Sequence, residues 1–165
     1  MADTECPLCD DGSQFTTDMS IPSEPQYSCS VCGTFSFDRG CRTRLKDLRA
    51  QEPARRRQLR FAIRRRSEAD NPLFLNPNII AEIMTDNQAP SADLIPSLAL
   101  EDIAARSKES PFTMIDFDLR RYPLFWVDSR QALANVLAVL ESDGAIRIVT
   151  RNGDIASLFA VPRSA

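Results

Sequence analysis

Two short stretches constrain this chain more than anything else in it: "CPLC" at residues 6–9 and "CSVCG" at 29–33. Each sets two thiols two residues apart, close enough for the backbone amides of a tight turn to support both thiolates. Gly33 follows Cys32, where such a turn needs a backbone free of a side chain. Nineteen residues separate the two pairs, a spacing within the range of zinc sites built on adjoining hairpins. Cys6, Cys9, Cys29 and Cys32 are therefore read as ligands of a structural Zn2+, with rubredoxin-like iron as the rival ion. Four protein ligands leave no open coordination position, so the metal is expected to staple a module too small to fold alone. Cys41, the odd fifth cysteine, reads as a small apolar helix residue. An odd count also argues against a disulfide framework.

Charge is distributed unevenly. Residues 38–66 hold twelve Lys and Arg against three Asp and Glu, a local balance of +9 within a chain of net charge −3, and no basic residue precedes Arg39. A cationic block inside an acidic remainder points to a partner without naming one. The apolar share, 43%, suffices for a modest core. No stretch reaches the ~18 apolar residues of a membrane span. "MADTECPLC" lacks the order of a secretory signal. The expectation is a cytoplasmic protein with reduced thiols and no membrane partner.

Along the chain, "QFTTD" and "QYSC" read as strands separated by the turn-rich "MSIPSEP", and "TFSF" alternates Phe35 and Phe37 on one side. Residues 40–69 read as two helices broken near Pro53, which suits a first helical turn. Asn76 is placed to cap a third helix that begins at Pro77 and carries Ile79, Ile80, Ile83 and Met84 at helical spacing. A fourth runs from about Ala92 to Ser107. Then Leu133, Val136, Leu137 and Leu140 form an apolar stripe, with Asp128 and Gln131 as a capping box and Gly144 as the C-terminal stop. "AIRIVT" and "IASLFAV" flank Asn152-Gly153, a hairpin signal. Helix, glycine and hairpin in that order is a winged-helix-like ending. The expected fold is α+β: a four-Cys zinc ribbon (1–38), an Arg-rich helical segment (39–75), and a helical plus winged-helix-like domain (76–165).

On a helical projection Arg56, Arg57, Arg60 and Arg64 share one stripe, with Arg55, Arg65 and Arg66 on other faces. A row of guanidinium groups at ~1.5 Å rise per residue reaches successive phosphates, and the same forks grip carboxylates. Arg55, Arg56, Arg57, Arg60, Arg64 and Arg65 are therefore the candidate surface for nucleic acid or for an acidic protein. The plainer reading has these side chains pair within the protein while their stems cover Phe61 and Ile63. The winged-helix-like end offers little to DNA: Arg130, Gln131 and Asn135 on the helix are offset by Glu141 and Asp143, so a protein-interaction role fits it better.

Catalytic signals are missing. The chain has no histidine, which removes the commonest general base at neutral pH. There is no phosphate loop and no nucleophile elbow. Asp116 and Asp118 share one side of a possible strand, but no third carboxylate completes a cation site. The chain is read as a non-enzyme.

The succession "CPLC…YSCSVCGTFSF", "RRRQLRFAIRRR", "NPLFLNPNIIAEIM" and "LANVLAVLESDGAIRI" resembles bacterial proteins that join an N-terminal zinc ribbon to a winged-helix-like end in conflict or antiphage-defence systems. In those proteins the parts often precede an effector such as a TIR domain. Here only "PRSA" follows the hairpin, so the resemblance implies a sensor, adaptor or regulatory subunit without its effector. The expected function is a non-catalytic accessory protein that binds nucleic acid through the arginine helix. The alternative is an adaptor docking a protein partner, within a larger complex, through that helix or the winged-helix-like domain.

Overall fold

A computed structural model describes residues 5–9, 15–18, 26–38, 40–86, 88–107 and 113–161. The expected turn at 19–25 and Arg39 lie outside the described residues. The chain is α+β and divides into two compact units, Met1–Ala89 and Pro90–Ala165. The boundary thus falls after the third helix, and the arginine-rich segment belongs to the same unit as the cysteines.

In the first unit, β1 (Phe15–Asp18), β2 (Gln26–Cys29) and β3 (Gly33–Phe37) form an antiparallel sheet. Phe35 and Phe37 alternate inward and are buried, and the ring of Tyr27 stacks on Phe37 at 4.5 Å. The helix α2 (Pro53–Glu68) packs against β3, and α1 (Cys41–Gln51) packs against α2. Pro53 opens α2, where its missing N–H costs nothing. Leu45 and Leu48 of α1 and Leu59 and Ile63 of α2 bury the facing stripes. Together with Leu8, Val31 and Phe35 they make the unit's core.

"NPLFLNPN" supplies more than the cap of the next helix. Its Leu73–Leu75 is a further strand, β4, paired in parallel with β3 in the register Phe35↔Leu73 to Phe37↔Leu75. The sheet order is β1-β2-β3-β4. Next, α3 (Pro77–Asp86) starts on Asn76, whose side chain accepts from the N–H groups of Asn78 (3.0 Å) and Ile79 (2.9 Å), as expected.

The second unit holds α4 (Ile95–Arg106), β5 (Ile115–Asp118), a 3₁₀ segment (Leu119–Phe125), α5 (Arg130–Ser142), β6 (Ile146–Asn152) and β7 (Ile155–Ala160). Its antiparallel sheet runs β5-β7-β6, so the first strand lies against the last. Leu133, Leu137 and Leu140 of α5 pack inward with Ile103, Phe117, Phe125 and Trp126. Two local details shift by one residue from expectation. The cap of α5 is Ser129, whose Oγ accepts from Ala132 N–H at 3.1 Å, and not Asp128. The hairpin turn is Gly153-Asp154: Asn152 still pairs with Ile155. Gly153 has φ +58° and Asp154 is not among the positive-φ residues, the type II′ pattern with glycine first. Gly144 (φ +69°) closes α5 as expected. Its N–H bonds Glu141 O and that of Ala145 bonds Leu140 O, the two crossed bonds of a Schellman motif.

Candidate metal centre and the arginine helix

The two knuckles meet. Cys6, Cys9, Cys29 and Cys32 are all buried and their four sulfurs lie within 4.8 Å of one another. Cys6 Sγ lies 3.8 Å from Cys32 Sγ, and Cys9 Sγ lies 3.6 Å from Cys29 Sγ. A disulfide would need about 2.05 Å, and all five cysteines are free thiols. A tetrahedron with metal–sulfur bonds of ~2.3 Å has edges of ~3.8 Å, so the donor set fits a four-coordinate ion. The chemistry agrees. Hydrogen bonding from Cys32, then from Cys6 and Cys9, holds the Cys29 thiol far below its ordinary range. Its proximity in turn drives Cys32 well above. Negative charge cannot spread over all four buried sulfurs unless a cation shares it. The backbone supports the turn as well, Cys32 N–H donating to Cys29 Sγ at 3.4 Å.

Cys41 stays outside this group. It is buried at the start of α1, where burial and then the Asp38 carboxylate push its thiol upward.

Gly33 joins the second knuckle to the helix. It has φ +89°, and a Cβ there would sit 2.6 Å from Ser67 Cβ. Ser67 Oγ accepts from Thr34 N–H at 2.8 Å. The glycine therefore lets the C-terminal turn of α2 lie directly on the knuckle.

That approach determines where the arginines point. Arg64 donates from Nη1 to the carbonyls of Ser30 (2.9 Å) and Val31 (3.2 Å), the two residues between Cys29 and Cys32. Its Nε pairs with Glu68 at 2.9 Å, leaving the side chain 14% exposed. Arg49, which sequence reasoning passed over, donates to Cys6 O at 3.2 Å and lies 3.9 Å from Glu5. Arg56 donates to Arg49 O at 3.3 Å, and Arg60 is 2% exposed. Of this stripe Arg64 thus meets the second knuckle, Arg56 meets the last turn of α1, and Arg60 is buried. The acceptors of Arg64 lie more than thirty residues away in sequence, which no local pattern signals. Arg57 is half-buried. Of the six predicted surface arginines, Arg55 and Arg65 are the exposed ones, Arg55 with an ion pair to Glu52 at 2.7 Å. Arg44, Lys46 and Arg66 are exposed too.

On its other side α2 forms a groove with α3 and β4, a cavity of about 530 Å³ lined by Ala62, Ala69, Leu73, Ile79 and Ile83. Arg65 and Arg66 stand on one side of it, Glu82 and Asp86 on the other. None of these four makes an ion pair among the described residues.

In the second unit the two strand carboxylates are engaged. Asp118 takes Arg120 in a fork at 2.8–3.1 Å, and Asp116 accepts from Ser157 Oγ at 2.7 Å. On α5, Arg130 is drawn to Asp154 at 2.6 Å and Gln131 bonds Asn135 at 3.0 Å.

No helix of the described residues is long and apolar enough to cross a membrane. Comparison with known proteins finds no matching family model, curated protein or solved structure.

Proposed function

We propose that this chain is a non-catalytic, cytoplasmic adaptor whose first unit is a zinc ribbon stapled by Cys6, Cys9, Cys29 and Cys32, and which docks a protein segment in the groove between α2 and α3. The groove carries this reading. Its floor is apolar, and its walls bear two guanidinium groups and two carboxylates uncommitted within the described residues. A partner segment with an apolar ridge, acidic along one edge and basic along the other, satisfies all three surfaces. A duplex asks instead for a row of cations along its phosphates, and Arg56, Arg60 and Arg64 of the expected row are buried or bonded to backbone carbonyls. The order helix, strand, 3₁₀ segment, helix and hairpin, with the first strand beside the last, supports a winged-helix-like second unit. The outward face of its α5, with Gln131, Asn135 and Val139, suits protein contact better than DNA. The resemblance to defence-associated ribbon proteins supports the same role, an adaptor or regulatory subunit.

Affinity capture from the native host tests it. A protein retained by the wild-type chain should be lost on both R65E/R66E and E82K/D86K, and should return when its own charges are reversed to match. The second reading, nucleic acid, is favoured by the exposed Arg44, Lys46, Arg55, Arg65 and Arg66. It would displace the first if an oligonucleotide bound with log affinity falling ~0.9 per phosphate contact against log salt and R65E/R66E abolished that binding.

A further inference from the structure

The inward arginines are where the sequence reading and the structure part company most, and they have a use that no partner explains. Taking the zinc reading as given, a divalent ion on four thiolates leaves a net charge of about −2 at a buried site. Buried charge is costly unless opposite charge sits nearby. Each knuckle has a guanidinium on its backbone: Arg49 on Cys6 O at 3.2 Å, and Arg64 on Ser30 O and Val31 O at 2.9 and 3.2 Å. Those acceptors are neutral carbonyls, which orient a cation without cancelling it. The carboxylates that share these arginines, Glu5 and Glu68, stand on the solvent side, with side chains 80% and 32% exposed.

We infer that Arg49 and Arg64 are the counter-charges of the metal centre, one for each knuckle. They balance the dianionic metal–thiolate set and fix the turns that aim the sulfurs. Both act through the backbone of the ligand loops, so they are positioning residues and not ligands. Outer partners of metal ligands typically govern ~10–100-fold in metal affinity. This also accounts for arginine at these positions on helices whose solvent face is cationic already.

Zinc affinity of the full chain, measured by competition with a chromophoric chelator, tests the inference. The variants are Arg49→Gln, Arg64→Gln, their combination, Arg64→Lys and, as an exposed control, Arg147→Gln. Loss of one counter-charge should weaken binding about tenfold and loss of both about a hundredfold. Arg64→Lys, which keeps the charge, should stay within about threefold, and Arg147→Gln should match wild type. Cobalt(II) absorption at saturating metal reports whether each variant still assembles a tetrahedral thiolate site. If Arg64→Gln does not assemble, the more exposed Arg49→Gln decides the matter alone. Wild-type affinity in both glutamine variants would overturn the inference. So would Arg64→Lys as weak as Arg64→Gln, which would mean that only hydrogen-bond geometry counts. A wild-type chain that takes up neither zinc nor cobalt would instead overturn the zinc reading on which this rests.

Discussion

The two units use arginine differently. In the second, guanidinium groups meet carboxylates: Arg121 grips Asp102 at 2.8 Å, Arg106 shares the same Asp102 at 2.9 Å, and Arg120 and Arg130 each take an aspartate. In the first, Arg49, Arg56 and Arg64 donate to backbone carbonyls, even where a carboxylate shares the group, as Glu68 shares Arg64. A carboxylate offsets the cation, whereas a carbonyl holds it in place without offsetting it. The arginine contacts of the second unit therefore tie cation to anion, while those of the first tie a helix to the backbone of another segment and leave Arg65 and Arg66 at the surface. A side chain's partner type, rather than the number of arginines, distinguishes a scaffold from a surface.

The largest effect should come from the metal. Structural zinc contributes ~10–16 kcal/mol in small modules. Chelation should therefore unfold the first unit, seen as loss of amide dispersion for residues 26–86. The emission of Trp126, the chain's sole tryptophan, buried in the second unit, should stay unchanged. A shift of that emission on chelation would show that the contrast between the units is drawn too sharply.

Next in size is Asp102→Ala, which takes the Asp102 carboxylate from Arg121, a buried cation. Breaking such a pair costs about 3–5 kcal/mol, read as an earlier urea midpoint by Trp126 emission with no change in metal affinity.

Gly33→Ala should cost about 2–3 kcal/mol in the first unit, from the left-handed backbone and the clash with Ser67. Adding Ser67→Gly should recover the steric share and leave the backbone share. Full recovery would mean that space alone demands the glycine. Ser67→Ala, which removes only the bond to Thr34 N–H, should cost about 1 kcal/mol.

Much of this was legible from residues alone because the signals are local. The cysteine pairs, the Asn76 cap, the Pro53 break and the Gly144 stop each depend on neighbours within a turn or two. The one-residue shifts at Ser129 and Gly153 arise because adjacent Asp-Ser and Asn-Gly-Asp residues all suit their roles, and only tertiary packing chooses among them. β4 escaped notice since three residues between asparagines and prolines show no alternation. Its partner strand lies nearly forty positions earlier. The projection of α2 groups Arg56, Arg57, Arg60 and Arg64 but cannot say which way the stripe faces. Apolar stems let a guanidinium sit against a core or in water, and the deciding carbonyls belong to another segment.

The parallel pairing of β3 with β4 also has a consequence for synthesis. Cys32, the last of the four thiols, is made some forty residues before Leu73, an interval of about 2–8 s at ribosomal speeds of roughly 5–20 residues per second. For that time the knuckles have all their cysteines while β3, with Phe35 and Phe37, lacks the strand that covers its edge. An open apolar edge invites pairing with another chain. Early capture of the ion would anchor β3 to its own sheet during that window, so metal supply should govern how much nascent chain reaches the folded state as well as how stable that state becomes.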